Sequence, residues 1–234
     1  LLKHFDPDCD WVLDPGDMLY LPPGVPHHGV AVNACLTISV GFRAPSSAEL
    51  LEDYIDVLTF DADESLRYGD ADVQLPADAY EIDRPALDRA WTAMQALKMD
   101  DPERFAEWFG RFISSYRVAV GQSPSAETAS ALSVAESVAE GVVWERHPYS
   151  RMAWRRTAAG KAQIFANGRD WACESADDAA RICAANQIDA RTLGALSPAG
   201  RALVQQLAEA GHYAPMDEDG AYEVEDDGLY EDDE

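Results

Sequence analysis

Three observations predict an α+β fold for this 234-residue chain. Residues 11–43 read as short strands between Pro/Gly turns, and from Ser46 onward the apolar spacing becomes helical. Beyond residue 141, two β-patterned runs meet at an Asn-Gly turn and two helical stripes follow. The expected order is therefore strands, then helices, then a small mixed module.

Asp14-Pro15-Gly16-Asp17 begins the strand region as a type II turn, with Pro presetting φ and Gly supplying φ > 0. Met18-Leu19-Tyr20-Leu21 reads as a short strand stopped by Pro22-Pro23-Gly24-Val25-Pro26, because proline cannot donate to a central ladder. Residues 27–32 and 36–41 read as two further strands around a turn at Asn33-Ala34.

Ser46-x-x-Glu49 is a capping box, and Leu50, Leu51, Tyr54, Ile55 and Leu58 recur at helical spacing behind it. Leu87, Ala90, Trp91, Met94 and Leu97 form a second stripe. Phe105, Trp108, Phe109, Phe112, Ile113 and Tyr116 form a third, with Pro102 in its first turn behind an Asp100 or Asp101 cap. So large an aromatic stripe needs a covering surface, either within the chain or in a homodimer. A further helix is predicted over about 125–140, leading to Gly141. In the last module, strands are expected at 152–156, 162–166 and 170–173, with Asn167-Gly168 as a hairpin turn. Helices are expected at 176–186 and 198–209, the second capped by Ser197 and stopped by Gly211. That order has winged-helix character.

Composition narrows the functional classes. With 47% hydrophobic and 26% charged residues, the chain is neither collagen-like nor generally disordered. Against 18 Lys+Arg stand 43 Asp+Glu, and the net charge of −25 opposes general nucleic-acid coating or anionic-membrane binding. Residues 142–216 carry nine basic and seven acidic groups, whereas residues 217–234 carry eleven acids and no base. A tail of such like-charge density is expected to be disordered. No apolar run approaches the roughly 18 residues of a membrane span, and no signal-peptide pattern opens the chain, so a soluble, cytoplasmic protein is expected. Cys9, Cys35, Cys173 and Cys183 form no CxxC pair and indicate neither a zinc site nor a disulfide framework. The chain starts at Leu1, almost directly in patterned sequence, and reads as a fragment.

The chemistry concentrates in Gly16-Asp17-Met18-Leu19-Tyr20-Leu21-Pro22-Pro23-Gly24-Val25-Pro26-His27, a G-x₅-P-x-G-x₂-H pattern. A stiff Pro/Gly bend holds the His27 imidazole with little ordering entropy, as a metal ligand requires. The pattern is similar to the second motif of the cupin-type double-stranded β-helix, with Ala31 where an Asn often stands. His28 would point away from the barrel, since side chains alternate along a strand. Thr37, Ser39 and Gly41 share the face expected to line a pocket, which makes Ser39 a candidate donor to a small anionic ligand.

Residues 17–27, together with Ser39-Val40-Gly41-Phe42-Arg43-Ala44-Pro45, resemble the bacterial JmjC-type ribosomal oxygenases, which are cupin-like arginine hydroxylases. Glu107-Trp108-Phe109-Gly110-Arg111-Phe112-Ile113-Ser114 is similar to the family's helical dimerisation region, and Phe165-Ala166-Asn167-Gly168 to its winged-helix module. The resemblance implies a dioxygenase dependent on Fe(II) and 2-oxoglutarate that hydroxylates an arginine of a large-subunit ribosomal protein. It assigns His27 as the distal iron ligand and Ser39 to 2-oxoglutarate, and gives Arg43 no catalytic role. It further implies barrel strands at 1–45, a helical dimerisation region at 46–140 and a winged-helix-like module at 141–215, and the charge count adds an acidic tail at 216–234. The family's His-x-Asp ligand pair and carboxylate-binding base are expected upstream of residue 1. His4-Phe5-Asp6 spells His-x-Asp, but only 22 residues separate His4 from His27, and the pair is read as a coincidence. The competing reading is a non-enzymatic cupin and winged-helix regulator that binds nucleic acid through Arg146, Arg151, Arg155, Arg156, Lys161 and Arg169. A metal-free structural or dimerisation module is the third.

Overall fold

The structure, a computed structural model, describes residues 4–60, 62–71, 78, 80–115 and 133–216. The chain forms two compact units, residues 1–44 and 45–234.

In the first unit both turns form as expected. Asp17 N donates to Asp14 O at 3.0 Å and Val25 N to Pro22 O at 3.3 Å, with Gly16 and Gly24 at φ +97° and +79°. The strands expected at 18–21, 27–32 and 36–41 do not form: no described residue of this unit enters a ladder, and Met18, Leu36 and Ile38 stand in solvent. The physical reason is a lack of partners. Short apolar strands are stable only when neighbours take their backbone groups and one face is buried, and the described residues of this unit supply neither.

The second unit begins with the predicted capping box. Ser46 N donates to Glu49 Oε2 at 2.7 Å and Glu49 N to Ser46 Oγ at 3.1 Å, starting helix α1, Ser47–Phe60. Helix α2, Arg84–Gln95, is capped by Asp83 and buries none of its residues. Helix α3, Pro102–Ser115, starts at Asp101, whose Oδ1 accepts from the backbone of Glu103 and Arg104. Trp108 of α3 is buried against Tyr54 and Leu58 of α1, and its Nε1 donates to Asp53 Oδ1 at 2.6 Å. The aromatic stripe is thus partly covered within the chain, although Phe105 and Phe109 stay exposed. Helix α4, Val134–Ala139, is the described end of the helix predicted from residue 125; residues 125–132, Tyr116 and the acidic tail beyond residue 216 lie outside the described residues.

Further strands and helices complete the unit's core around the predicted hairpin. Strands β2 (Met152–Arg156), β3 (Ala162–Ala166) and β4 (Arg169–Cys173) form an antiparallel sheet, with Ala166 opposite Arg169 across the Asn167-Gly168 turn. Helices α5 (Ala176–Ala184) and α7 (Pro198–Glu209) pack on one face of it, and α3 packs on the other. Every residue of β3 is therefore buried, as a strand between two helical layers must be. A second antiparallel sheet has β1 (Trp144–Arg146) between β5 (Gln187–Ile188) and β6 (Tyr213–Pro215), with the short helix α6 (Ala190–Gly194) after β5. Trp144, Ile164, Ile182, Val204, Leu207 and Tyr213 are fully buried between the layers. The sequence pattern does not reveal β1, β5, β6 or α6, because two to five residues are too few to display a period.

Candidate functional site

His27 follows directly on the Pro/Gly bend, and its Nδ1 donates to Val25 O at 3.2 Å, since a carbonyl can only accept. That bond fixes the tautomer and leaves the Nε2 lone pair available, which is how a carbonyl orients an imidazole for a metal. His28 turns to a different neighbour, its ring centroid 6.5 Å from that of Phe5. Ser39 is exposed on a segment in which Leu36, Ile38 and Val40 are exposed too, so neither face is interior here.

A mononuclear iron site of the kind the resemblance implies needs two His and one carboxylate on one face. Among the described residues, no three His, Cys, Asp or Glu side chains come together as metal ligands. His27 is one donor, His4 and Asp6 do not complete a cluster with it, and the described residues do not by themselves fit the metal.

The most elaborate side-chain arrangement is the seat of α3 on the β2–β4 sheet. Gly110 meets the buried Phe165 ring so closely that a Cβ added there would lie 2.3 Å from Cζ. Beside this contact runs a polar chain across all three strands. Arg155 Nη1 pairs with Glu103 Oε2 at 2.8 Å and Arg155 Nε donates to Gln163 Oε1 at 2.9 Å. Gln163 Nε2 then donates to Asp170 Oδ2 at 2.8 Å, and Asp170 Oδ1 accepts from Arg111 Nε at 2.7 Å. The chain starts on α3 and returns to α3, so the helix is held in register at both ends. Sequence reasoning missed this seat. The available signal was Gly110 itself, because a glycine inside a helix costs about 1 kcal/mol and is usually retained for close packing.

The proposed basic face is largely occupied by the fold. Arg146 bonds Cys183 O and Asn186, Arg155 holds the chain just described, and Lys161 pairs with Glu174 at 2.8 Å. Arg156 and Arg169 each lie 5.6 Å from a tryptophan ring centre, Trp154 and Trp171 respectively.

His212 and Cys183 are two of the titratable groups set into the module. His212 is buried with its Nδ1 2.8 Å from Ser150 Oγ, and burial, with Arg169 and His147 nearby, depresses its pKa to about 4. Burial also pushes the Cys183 thiol up to about 12, so no thiolate forms there near neutrality.

This architecture defines an α+β protein with a winged-helix module onto which a long helix is seated. The chain belongs to the ROXA-like winged-helix family, whose profile matches residues 96–214, and residues 1–50 match the JmjC domain. Among curated proteins, it is 38% identical over 113 residues to the ribosomal protein uL16 3-hydroxylase of Escherichia coli, covering 48% of this chain and 30% of that protein. It is 46% identical over 43 residues to a probable ribosomal oxygenase of Haemophilus influenzae, covering 18% of this chain and 11% of that protein. A crystal structure of the E. coli ribosomal oxygenase YcfD shares the fold over 75% of this chain and 48% of that one, with a TM-score of 0.59 at 24% identity. A YcfD structure with cobalt and 2-oxoglutarate gives a TM-score of 0.56 at 22% identity, over 75% of this chain and 48% of that one. The chain thus spans less than a third of its curated relatives and about half of the solved chains. Among the described residues, no helix is long and apolar enough to cross a membrane.

Proposed function

We propose that this chain is part of an Fe(II)- and 2-oxoglutarate-dependent dioxygenase that hydroxylates an arginine side chain of a large-subunit ribosomal protein. The observation that carries this reading is the JmjC match over residues 1–50, which contains the His27 motif, joined to the winged-helix match that follows. The name of the E. coli relative, a uL16 hydroxylase, supports the substrate class. His27 would offer Nε2 to the metal, and Ser39 would hydrogen-bond 2-oxoglutarate. In a protein of the relatives' full length, residues outside this chain would contribute the remaining iron ligands. Residues 1–45 would then belong to the barrel, 46–140 would mediate a homodimer, 141–215 would form the wing, and 216–234 an acidic tail.

The acidity of residues 1–141, with 25 acidic and 9 basic groups, suits a basic protein substrate in the cytoplasm. Nucleic acid is disfavoured as a partner, because Arg155 and Lys161 pair with Glu103 and Glu174, Arg156 and Arg169 lie over tryptophan faces, and the chain as a whole carries a net −25.

The test is iron-dependent release of succinate from 2-oxoglutarate. In a protein of the relatives' full length, His27→Ala abolishes it and His28→Ala keeps most of it, while the present chain alone releases none. Equal loss in both variants would overturn the choice of His27. Succinate release by the chain alone would restore His4 and Asp6 as ligands.

A further inference from the structure

We propose that Asn167 is a deamidation site gated by the seating of α3 on the wing. The chain has three asparagines, Asn33, Asn167 and Asn186, and only Asn167 precedes a glycine. In an Asn-Gly pair, the glycine nitrogen loses its proton and attacks the asparagine Cγ. A C–N bond forms, the carboxamide nitrogen leaves as ammonia, and water opens the resulting succinimide to aspartate or isoaspartate. Glycine permits the ring closure because it has no side chain to obstruct it.

The native turn opposes each part of this step. Gly168 N donates to Ser114 Oγ of α3 at 3.0 Å, so the attacking nitrogen is engaged and covered. The carboxamide is held at both ends: Oδ1 accepts from Arg151 N at 2.8 Å and Nδ2 donates to Tyr149 O at 3.0 Å. Bringing Cγ to the glycine nitrogen therefore breaks three hydrogen bonds at once. Ser115 crowds the turn as well, its Cβ 3.2 Å from where a Cβ on Gly168 would stand. When α3 lifts away, the Ser114 bond is lost and the turn is exposed to the reaction.

The product leaves a permanent mark. A carboxylate at position 167 cannot donate to Tyr149 O, and isoaspartate adds a backbone methylene to a two-residue turn. Either change loosens residues 149–151, and isoaspartate also breaks the pairing of Ala166 with Arg169. Deamidation would thus record, irreversibly, how often the helix has left its seat.

The full chain is held at mildly alkaline pH, and peptide mass mapping with isoaspartate detection follows all three asparagines. Asn167 converts more slowly in the folded chain than in urea, and Ser114→Ala raises its folded-state rate about five-fold or more, the effect of losing a hydrogen bond of about 1 kcal/mol. Equal rates in the folded and urea-unfolded chain overturn the proposal, as does a Ser114→Ala rate equal to wild type. Faster conversion of Asn33 or Asn186 in urea would also overturn it. Should Ser114→Ala fail to fold, Arg111→Ala decides: it removes the pair with Asp170 and leaves Ser114 in place, so acceleration supports the gate and an unchanged rate overturns it.

Discussion

His212 carries the clearest single-residue consequence. The residue is 2% exposed, its ring meets Trp171 edge-on at 5.3 Å and bonds Ser150, and its backbone N–H and C=O bond Leu207 and His147. A charged imidazolium there faces Arg169 and His147, so the folded protein refuses a proton that the unfolded chain accepts. Above the ordinary histidine value of 6.5 both states are neutral and the group has no effect on stability. As the pH falls from there toward about 4, the unfolded state alone takes up the proton, and the fold loses up to about 3 kcal/mol. Urea midpoints measured across this range should fall more steeply for wild type than for His212→Gln. Parallel curves would place the acid sensitivity elsewhere. The pairing is illegible in the sequence, since 62 positions separate Ser150 from His212 and no periodicity links them. His27 is legible because its signal is local, a bend and a ring within a few positions.

The same contrast between local and distant information runs through the elements. Strands β2 and β3 and helix α7 begin and end where the turn residues and caps predict: Asn167 adopts φ +44° before Gly168, Ser197 caps α7, and Gly211 turns at φ +84°. The strands expected between residues 18 and 41 are not formed, because a period states which face wants burial but does not provide the neighbour. Spacing alone leaves open, for the same reason, what covers α3, and the structure answers with Gly110. Gly110→Ala should destabilise the fold by about 1–3 kcal/mol, the usual cost of overpacking. Alanine's helix preference, worth about 1 kcal/mol, does not offset a Cβ placed 2.3–2.5 Å from three atoms of a ring that is itself 1% exposed. Adding Phe165→Leu should recover part of the loss. A denaturation midpoint for Gly110→Ala equal to or above wild type would contradict the close seat.

At the scale of the whole molecule, the apolar surface left over calls for a cover. Trp108 is settled within the chain, so Trp108→Ala should destabilise it by about 3–5 kcal/mol, the cost of a large core truncation, and it cannot serve as a probe of association. Trp91 on α2 remains 60% exposed and Phe109 on α3 39% exposed, and these residues carry the proposed homodimer. Association must work against charge, because each chain brings a net −25. Added salt screens that repulsion within a Debye length of about 10 Å at 0.1 M while leaving apolar burial intact. Sedimentation at micromolar concentration should therefore give a dimer that tightens as salt rises, the reverse of an assembly held by ion pairs. Trp91→Ser should shift the equilibrium toward monomer without moving the denaturation midpoint of the monomer, since α2 buries no residue in its own chain. A protein that sediments as a monomer at every salt concentration would remove the helical region as a dimerisation surface and leave its exposed aromatics for a different protein partner.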